Sequence, residues 1–235
     1  MNKENIYFII PAYNEGTVIA GVLEELIACG YKKIVVVNDG SNDNTSETVK
    51  SFPVILIEHI INRGQGAALG SGITYALKNS DCKLIVTFDA DGQHRLEDVE
   101  RMISIIESEK CDIVIGSRFL SLRNDKLPFG RRIILKLASH FLRFIYGLKL
   151  TDAHNGLRVF RKECGNKLIP TMDRMVHASE MIYLIKKHSL IYRESPVKIN
   201  YTKYSLSKGQ KTSDFINLGL LTIYHKIILI FFEKD

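Results

Sequence analysis

Leu84-Ile85-Val86-Thr87-Phe88-Asp89-Ala90-Asp91-Gly92-Gln93 is an apolar, β-rich run that ends in two carboxylates and a turn. A strand this apolar is buried on both faces, as happens when helices cover both sides of a sheet, and it has no reason of its own to end in Asp89. Side chains alternate along an extended chain, so Asp89 and Asp91 point the same way. Two carboxylates so placed repel unless a cation or hydrogen-bond donors offset them. A divalent ion bridging Asp91 and a diphosphate would do so, with Gln93 as a neutral oxygen donor to the same ion. A turn rich in Asp and Gly accounts for Asp91-Gly92 alone.

The same arrangement repeats on either side. Residues 6–10, 33–37, 54–58, 84–88 and 112–115 are predicted strands. They alternate with predicted helices over 16–30, 41–50 (Ser41 as N-cap), 66–79 and 96–109. This is an α/β chain: a mainly parallel sheet of Rossmann-like βαβ units with helices on both faces. Ligands of such sheets sit beyond the C-terminal strand ends, where Pro11-Ala12-Tyr13-Asn14-Glu15, Asn38-Asp39-Gly40-Ser41 and Asp89-Ala90-Asp91-Gly92-Gln93 fall. One such cluster reads equally as a turn or a cap; three on one edge mark a site.

The 235 residues suffice for one sizeable catalytic domain. The net charge of +6 is uneven: residues 1–117 carry 10 basic and 17 acidic side chains, residues 118–235 carry 22 and 9. A basic half suits nucleic acid, an anionic lipid surface or a phosphorylated substrate. Nucleic acid ranks last, because no reader motif or interleaved aromatic platform accompanies the charge. Cys29, Cys82, Cys111 and Cys164 are widely spaced and read as reduced structural thiols. The first predicted strand begins at Ile6, so a signal peptide is not expected and the chain is expected on the cytoplasmic side.

Residues 129–149 form a basic amphipathic helix in which Arg132, Lys136, His140 and Arg143 recur at helical spacing among apolar residues. Two readings stand: a membrane-surface helix, or a core helix with a solvated basic face. Residues 213–235 are expected as an apolar C-terminal helix, interrupted by His225 and Lys226. It would lie in the membrane interface, pack on the domain or form an oligomer contact.

With Asn62-Arg63-Gly64-Gln65-Gly66 added, the clusters resemble, in order and spacing, the signature of the family 2 glycosyltransferases with the GT-A fold. Within that family the likeness is to the dolichyl- and polyprenyl-phosphate sugar synthases, and it covers nearly the whole chain. It implies a GT-A domain over 1–212, with a nucleotide-sugar donor half at 1–117 and an acceptor half at 118–212. Pro11, Ala12, Tyr13, Glu15, Asp39 and Gly66 would line the nucleotide, Asp89 and Ala90 would lie against it, and Asp91 with Gln93 would hold Mg2+ or Mn2+. Arg118, Arg131, Arg132 and Lys208 fall where the synthases bind the acceptor phosphate. Arg158 and Glu180 match later motifs and, with Asp91 and Arg118, would be catalytic. Glu194-Ser195-Pro196-Val197 matches another. Thr202-Lys203 and the loop Asp152-Ala153-His154-Asn155-Gly156 depart from the synthase pattern, and both departures concern the acceptor.

The resemblance implies an inverting, metal-dependent hexosyltransferase, peripherally bound at the cytoplasmic membrane face, that moves sugar from a UDP- or GDP-sugar to a polyprenyl phosphate. A lipid phosphate is already ionised, so cationic positioning rather than a general base carries that reaction. A saccharide or glycolipid acceptor in cell-surface polysaccharide synthesis is the alternative, with Glu180 or Asp152 as base. A non-catalytic nucleotide-binding or scaffold protein is a third reading, against which Asp89, Asp91 and Gln93 speak. Arg158 and Glu180 also admit a purely structural reading as a buried ion pair.

Overall fold

The computed structural model describes residues 2–120, 129–171 and 177–200. Strands β1 (Ile6–Ala12), β2 (Lys33–Asn38), β3 (Ile55–Glu58), β4 (Leu84–Thr87), β5 (Ile113–Ser117), β6 (Arg158–Arg161) and β7 (Tyr192–Pro196) alternate with helices α1 (Ile19–Ala28), α2 (Thr45–Lys50), α3 (Gln65–Lys78), α4 (Leu96–Ser108), α5 (Phe129–Tyr146), α6 (Lys162–Gly165) and α7 (His177–Lys187). Among the described residues the strands form one sheet in the order β3-β2-β1-β4-β6-β5-β7. All neighbours are parallel except β6, which runs antiparallel to both β4 and β5.

The double-sided apolarity of the strands divides two cores. Ile6, Phe8 and Ile10 of β1, with Ile34 and Val36 of β2, face α1 and α4; Tyr7, Ile9, Val35 and Val37 face α3 and α7. α1 contributes Ile19, Val22, Leu23 and Leu26, and α4 contributes Leu96, Val99, Met102, Ile103 and Ile106, both at helical spacing. Each fully buried aliphatic side chain contributes about 1.5–3 kcal/mol. α3 lies close on the sheet because it is made of small residues: a Cβ at Gly72 would come within 2.3 Å of Ile9 Cγ2.

The five predicted strands and four predicted helices of the first half are present, with shifted ends. β1 continues to Ala12, so Pro11 is inside the strand. It is accommodated because pairing with β4 stops at Ile9, beyond which no partner requires a proline N–H. Ser41 is not the cap of the second helix, which starts at Thr45 after Asn44. Ser41 and Asp43 instead bind the 14–16 loop: Asn14 N–H donates to Ser41 Oγ (2.9 Å), Gly16 N–H to Asp43 (3.1 Å), and Glu15 N–H to Thr45 Oγ1 (2.9 Å). The basic helix is α5, which ends at Tyr146. β6, α6, α7 and β7 were not among the sequence expectations. The expected helix over 213–235 and Lys208 lie outside the described residues, as do the side chains of Arg131 and Arg132. Among the described residues no helix is long and apolar enough to cross a membrane.

Candidate active site

The C-terminal ends of β1, β2, β4 and β5 open on one edge of the sheet, and the reversal of β6 brings Asn155-Gly156-Leu157-Arg158 to the same edge. On the β1 side, Ala12 is buried and Tyr13 is largely exposed. Asn14 takes the left-handed conformation (φ 54°), which asparagine tolerates better than most residues, and its side chain accepts from the Asn42 N–H (2.9 Å).

Asp39, expected to meet the nucleotide, is 2% exposed. Its Oδ1 accepts from Arg63 N–H (3.1 Å) and lies 2.7 Å from His59 Nδ1, while Oδ2 accepts from Gly64 N–H (2.6 Å). The carboxylate therefore shapes the 59–64 loop that leads into α3. Gly40 has positive φ (68°), and a Cβ there would meet the backbone of Ile61 and Asn62 at 2.7 Å. Only glycine fits that crossing. Gly66 is buried in the first turn of α3.

Asp89 and Asp91 sit just past β4. Asp89 Oδ1 accepts from Gln65 Nε2 (2.9 Å), and Oδ2 pairs with His94 Nε2 (2.8 Å). Gly156 presses on the same carboxylate: a Cβ there would lie 2.6 Å from Asp89 Oδ2 and 2.9 Å from Oδ1. Asp91 accepts from the Gln93 backbone (3.1 Å) and side-chain amide (2.5 Å). Burial first, and the charge of Asp89 second, push the Asp91 carboxyl up to about 6. Glu15 adds to the negative field. His94 is buried against Phe88 (ring centroids 5.3 Å apart). Burial disfavours its charge, but Asp89 outweighs burial and its pKa is raised. Among the described residues no group of three or more His, Cys, Asp and Glu side chains is arranged to hold a metal ion. The two carboxylates nonetheless fit a hard cation that takes its other oxygens from a diphosphate and water, since such a cation would relieve the strain on Asp91.

The cationic side is organised differently from the expectation. Arg118 is clamped by Asp152, which is 0% exposed. The Arg118 N–H (3.0 Å) and Nε (2.6 Å) donate to Asp152 Oδ2, and Nη2 (2.7 Å) donates to Oδ1. Burial would raise the Asp152 pKa, but Arg118 more than offsets it and the group is held below the usual carboxylate range. Asp152 is thus not placed as a general base: it is a buried, ionised partner of Arg118. Glu180 on α7 is 3% exposed and accepts both the N–H (2.8 Å) and the hydroxyl (2.5 Å) of Thr171. Arg158 makes no ion pair with Glu180. It is 0% exposed, and its three guanidinium nitrogens have no hydrogen-bond partner among the described residues. Burial pulls it down to about 10, with Asp89 and Asp152 as the carboxylates that support its charge. Burial likewise drives the His154 imidazole down to about 4, so it is neutral between Asp152 and the two arginines.

The edge therefore brings together Glu15, Asp89, Asp91 and Gln93, past the ends of β1 and β4, with Arg118 past β5 and Arg158 at the start of β6. Sequence reasoning gave no roles to His59, His94 and Gln65, which fix Asp39 and Asp89. His94 follows Gln93 directly, and a histidine next to a carboxylate pair was the available signal.

The family model described as Glycosyl transferase family 2 matches residues 7–168. An uncharacterized protein of Methanocaldococcus jannaschii is 44% identical over 231 residues, covering 97% of this chain and 94% of its own. The UDP-N-acetylglucosamine–dolichyl-phosphate N-acetylglucosaminyltransferase of Methanococcus voltae is 32% identical, with 97% of each chain covered. The polyprenol monophosphomannose synthase of Mycolicibacterium smegmatis is 31% identical over 68% of this chain and 63% of its own. Among solved structures, glucosyl-3-phosphoglycerate synthase from Mycobacterium tuberculosis in complex with Mn2+, UDP and glucosyl-3-phosphoglycerate superposes with a TM-score of 0.72 at 13% identity, covering 96% of this chain and 79% of the other. That likeness is one of fold: the chain has the GT-A fold.

Proposed function

Because this chain belongs to glycosyl transferase family 2, we propose that it moves a hexose from a nucleotide-sugar to a polyprenyl phosphate, with inversion, at the cytoplasmic face of a membrane. The observation that carries this reading is the placement, on one sheet edge, of the Asp89–Asp91 pair just past β4, Arg118 just past β5 and Arg158 at the start of β6, which pairs with both strands. The carboxylates are suited to a cation-bound diphosphate, and Arg118 to an anionic acceptor.

A divalent cation, Mg2+ or Mn2+, bound at Asp91 with Asp89 and Gln93 beside it would stabilise the charge of the departing nucleoside diphosphate. Gln65 and His94 hold Asp89 in place, and Gly156 leaves room for it. Pro11, Ala12, Tyr13, Glu15 and Gly66 border the nucleotide in this reading, and Asp39 acts through the loop it shapes. The name of the Methanococcus relative supports a UDP-linked donor. Arg118, with Arg131, Arg132 and Lys208, would position the phosphate. Such an acceptor needs no base, which agrees with the buried, occupied states of Asp152 and Glu180 and counts against a sugar hydroxyl acceptor.

α5 supports a membrane-surface location. Ile133, Leu137 and Phe144 (90% exposed) lie in solvent together with Lys136, His140 and Arg143. Apolar side chains and cations on one helix suit the headgroup region of an anionic bilayer. Incubating the protein with labelled UDP- or GDP-sugars, Mn2+ and a short polyprenyl phosphate tests the proposal. A labelled, mild-acid-labile lipid product is expected; labelling of saccharide acceptors alone would overturn it.

A further inference from the structure

Arg118 can meet a phosphate only if its guanidinium is aimed, and the aiming reaches it from β7. Glu194 stands on β7 opposite Ile115 of the parallel neighbour β5. Its Oε1 accepts from the Thr151 N–H (2.9 Å), the Thr151 hydroxyl (2.9 Å) and the Asp152 N–H (3.2 Å). The Thr151 hydroxyl also meets Ser117 Oγ at 2.6 Å, the residue directly before Arg118. The carboxylate of Asp152 then takes three bonds from Arg118. Every link is a hydrogen bond of 2.6 to 3.2 Å, and the series spans residues that lie 34 and 42 positions apart in sequence.

We infer that Glu194 is a positioning residue: by fixing the backbone at Thr151-Asp152 it sets the Asp152 carboxylate, and through it the direction of the Arg118 guanidinium. The inference deepens the proposed function and rests on it wherever an acceptor phosphate is named. A guanidinium is a rigid planar fork, so holding the Nε–Nη2 edge on a carboxylate fixes the Nη1–Nη2 edge as well. Oε1 of Glu194 takes all three donors and Oε2 only shares the Thr151 N–H (3.1 Å), so most of the work is that of one acceptor oxygen rather than of a charge. Burial raises the Glu194 pKa, and Asp152 adds to the rise. A neutral glutamine with its amide oxygen in the Oε1 place therefore keeps these three bonds without the buried charge and gives up only the shared Thr151 N–H contact to Oε2.

The test compares Glu194→Ala with Glu194→Gln. In protein labelled with 15N-arginine, the Arg118 Nε–H resonance, identified by its loss in Arg118→Lys, reports the bond to Asp152. It is expected to shift or broaden in Glu194→Ala and to be retained in Glu194→Gln. With short polyprenyl phosphate, kcat/KM for the acceptor should fall by roughly 10- to 100-fold in the alanine variant, the range expected for a misaimed contact group. The donor KM should stay the same, and glutamine should restore the acceptor value. An unchanged Arg118 resonance in a cooperatively folded alanine variant overturns the inference, as does an equal loss toward donor and acceptor, or a failure of glutamine to restore. If alanine prevents folding, Glu194→Asp, whose shorter carboxylate cannot reach all three donors, is read in the same way. A wild type that does not use polyprenyl phosphate would refute the acceptor reading, while the resonance alone would still decide the role of Glu194.

Discussion

Asp91→Asn, studied without metal, tests the charge argument at the centre of the site. Burial and Asp89 move the Asp91 carboxyl from its ordinary 3.8 to about 6. Between those values the folded protein holds a proton that the unfolded chain has released. Stability therefore falls as pH rises through that window, and the deficit is complete above it. A displacement of about two pK units corresponds to about 3 kcal/mol. Asparagine is neutral at every pH, and the Gln93 side-chain amide can turn to match it. His94, also raised above its ordinary 6.5, contributes stability that is present below that value and lost above it, so the comparison belongs at lower pH. Urea unfolding with a chelator, followed from about pH 4 to about pH 6.5, should show Asp91→Asn gaining about 2 kcal/mol on the wild type. Under the proposed function, adding Mn2+ and a nucleoside diphosphate should reverse the order, because the variant would lack the carboxylate that holds them. A gap that does not change with pH, or a variant less stable at the upper end in chelator, would refute the reasoning.

Gly156→Ala should displace Asp89 and weaken binding of nucleoside diphosphate with Mn2+ by at least tenfold, about the cost of moving a site group by an ångström; calorimetric titration reads this directly. Arg158→Met removes a buried guanidinium that has no hydrogen-bond partner among the described residues. It should leave stability equal or raise it by about 1–4 kcal/mol, while sugar transfer falls; thermal unfolding and a transfer assay together check it, and unchanged transfer would mean that the charge is purely structural. Asp39→Ala takes the partner from His59 Nδ1 and from the N–H groups of Arg63 and Gly64, so it should cost about 2–4 kcal/mol in urea unfolding. It should also loosen nucleotide binding, since the loop it holds opens the helix carrying Gln65.

The first half was legible because its strands are apolar on both faces and end abruptly in polar groups, a pattern that local sequence displays in full. Pro11 and Ser41 were misplaced for tertiary reasons: the first is tolerated where pairing with β4 ends, and the second is taken up by the neighbouring loop. The second half was harder to read. β6 is four residues long with arginine at both ends, and β7 reads Tyr-Arg-Glu-Ser-Pro, so neither has the apolar signature of the first five strands. Arg118 was legible as a cation, but not its bond to Asp152, because side-chain pairing across 34 residues depends on where two loops meet. Asp152 accordingly looked like a base when it is a clamp.

The reversal of β6 also bears on how such a protein can change. Since β5 ends and β6 begins at the same sheet edge, the chain between Ser117 and Arg158 departs and comes back without a crossover. Its length is free of the geometric demands that bind a βαβ connection. A graft there that keeps Thr151, Asp152 and Gly156, which meet Glu194, Arg118 and Asp89, changes the length of the excursion without touching the order and register of β1 to β4.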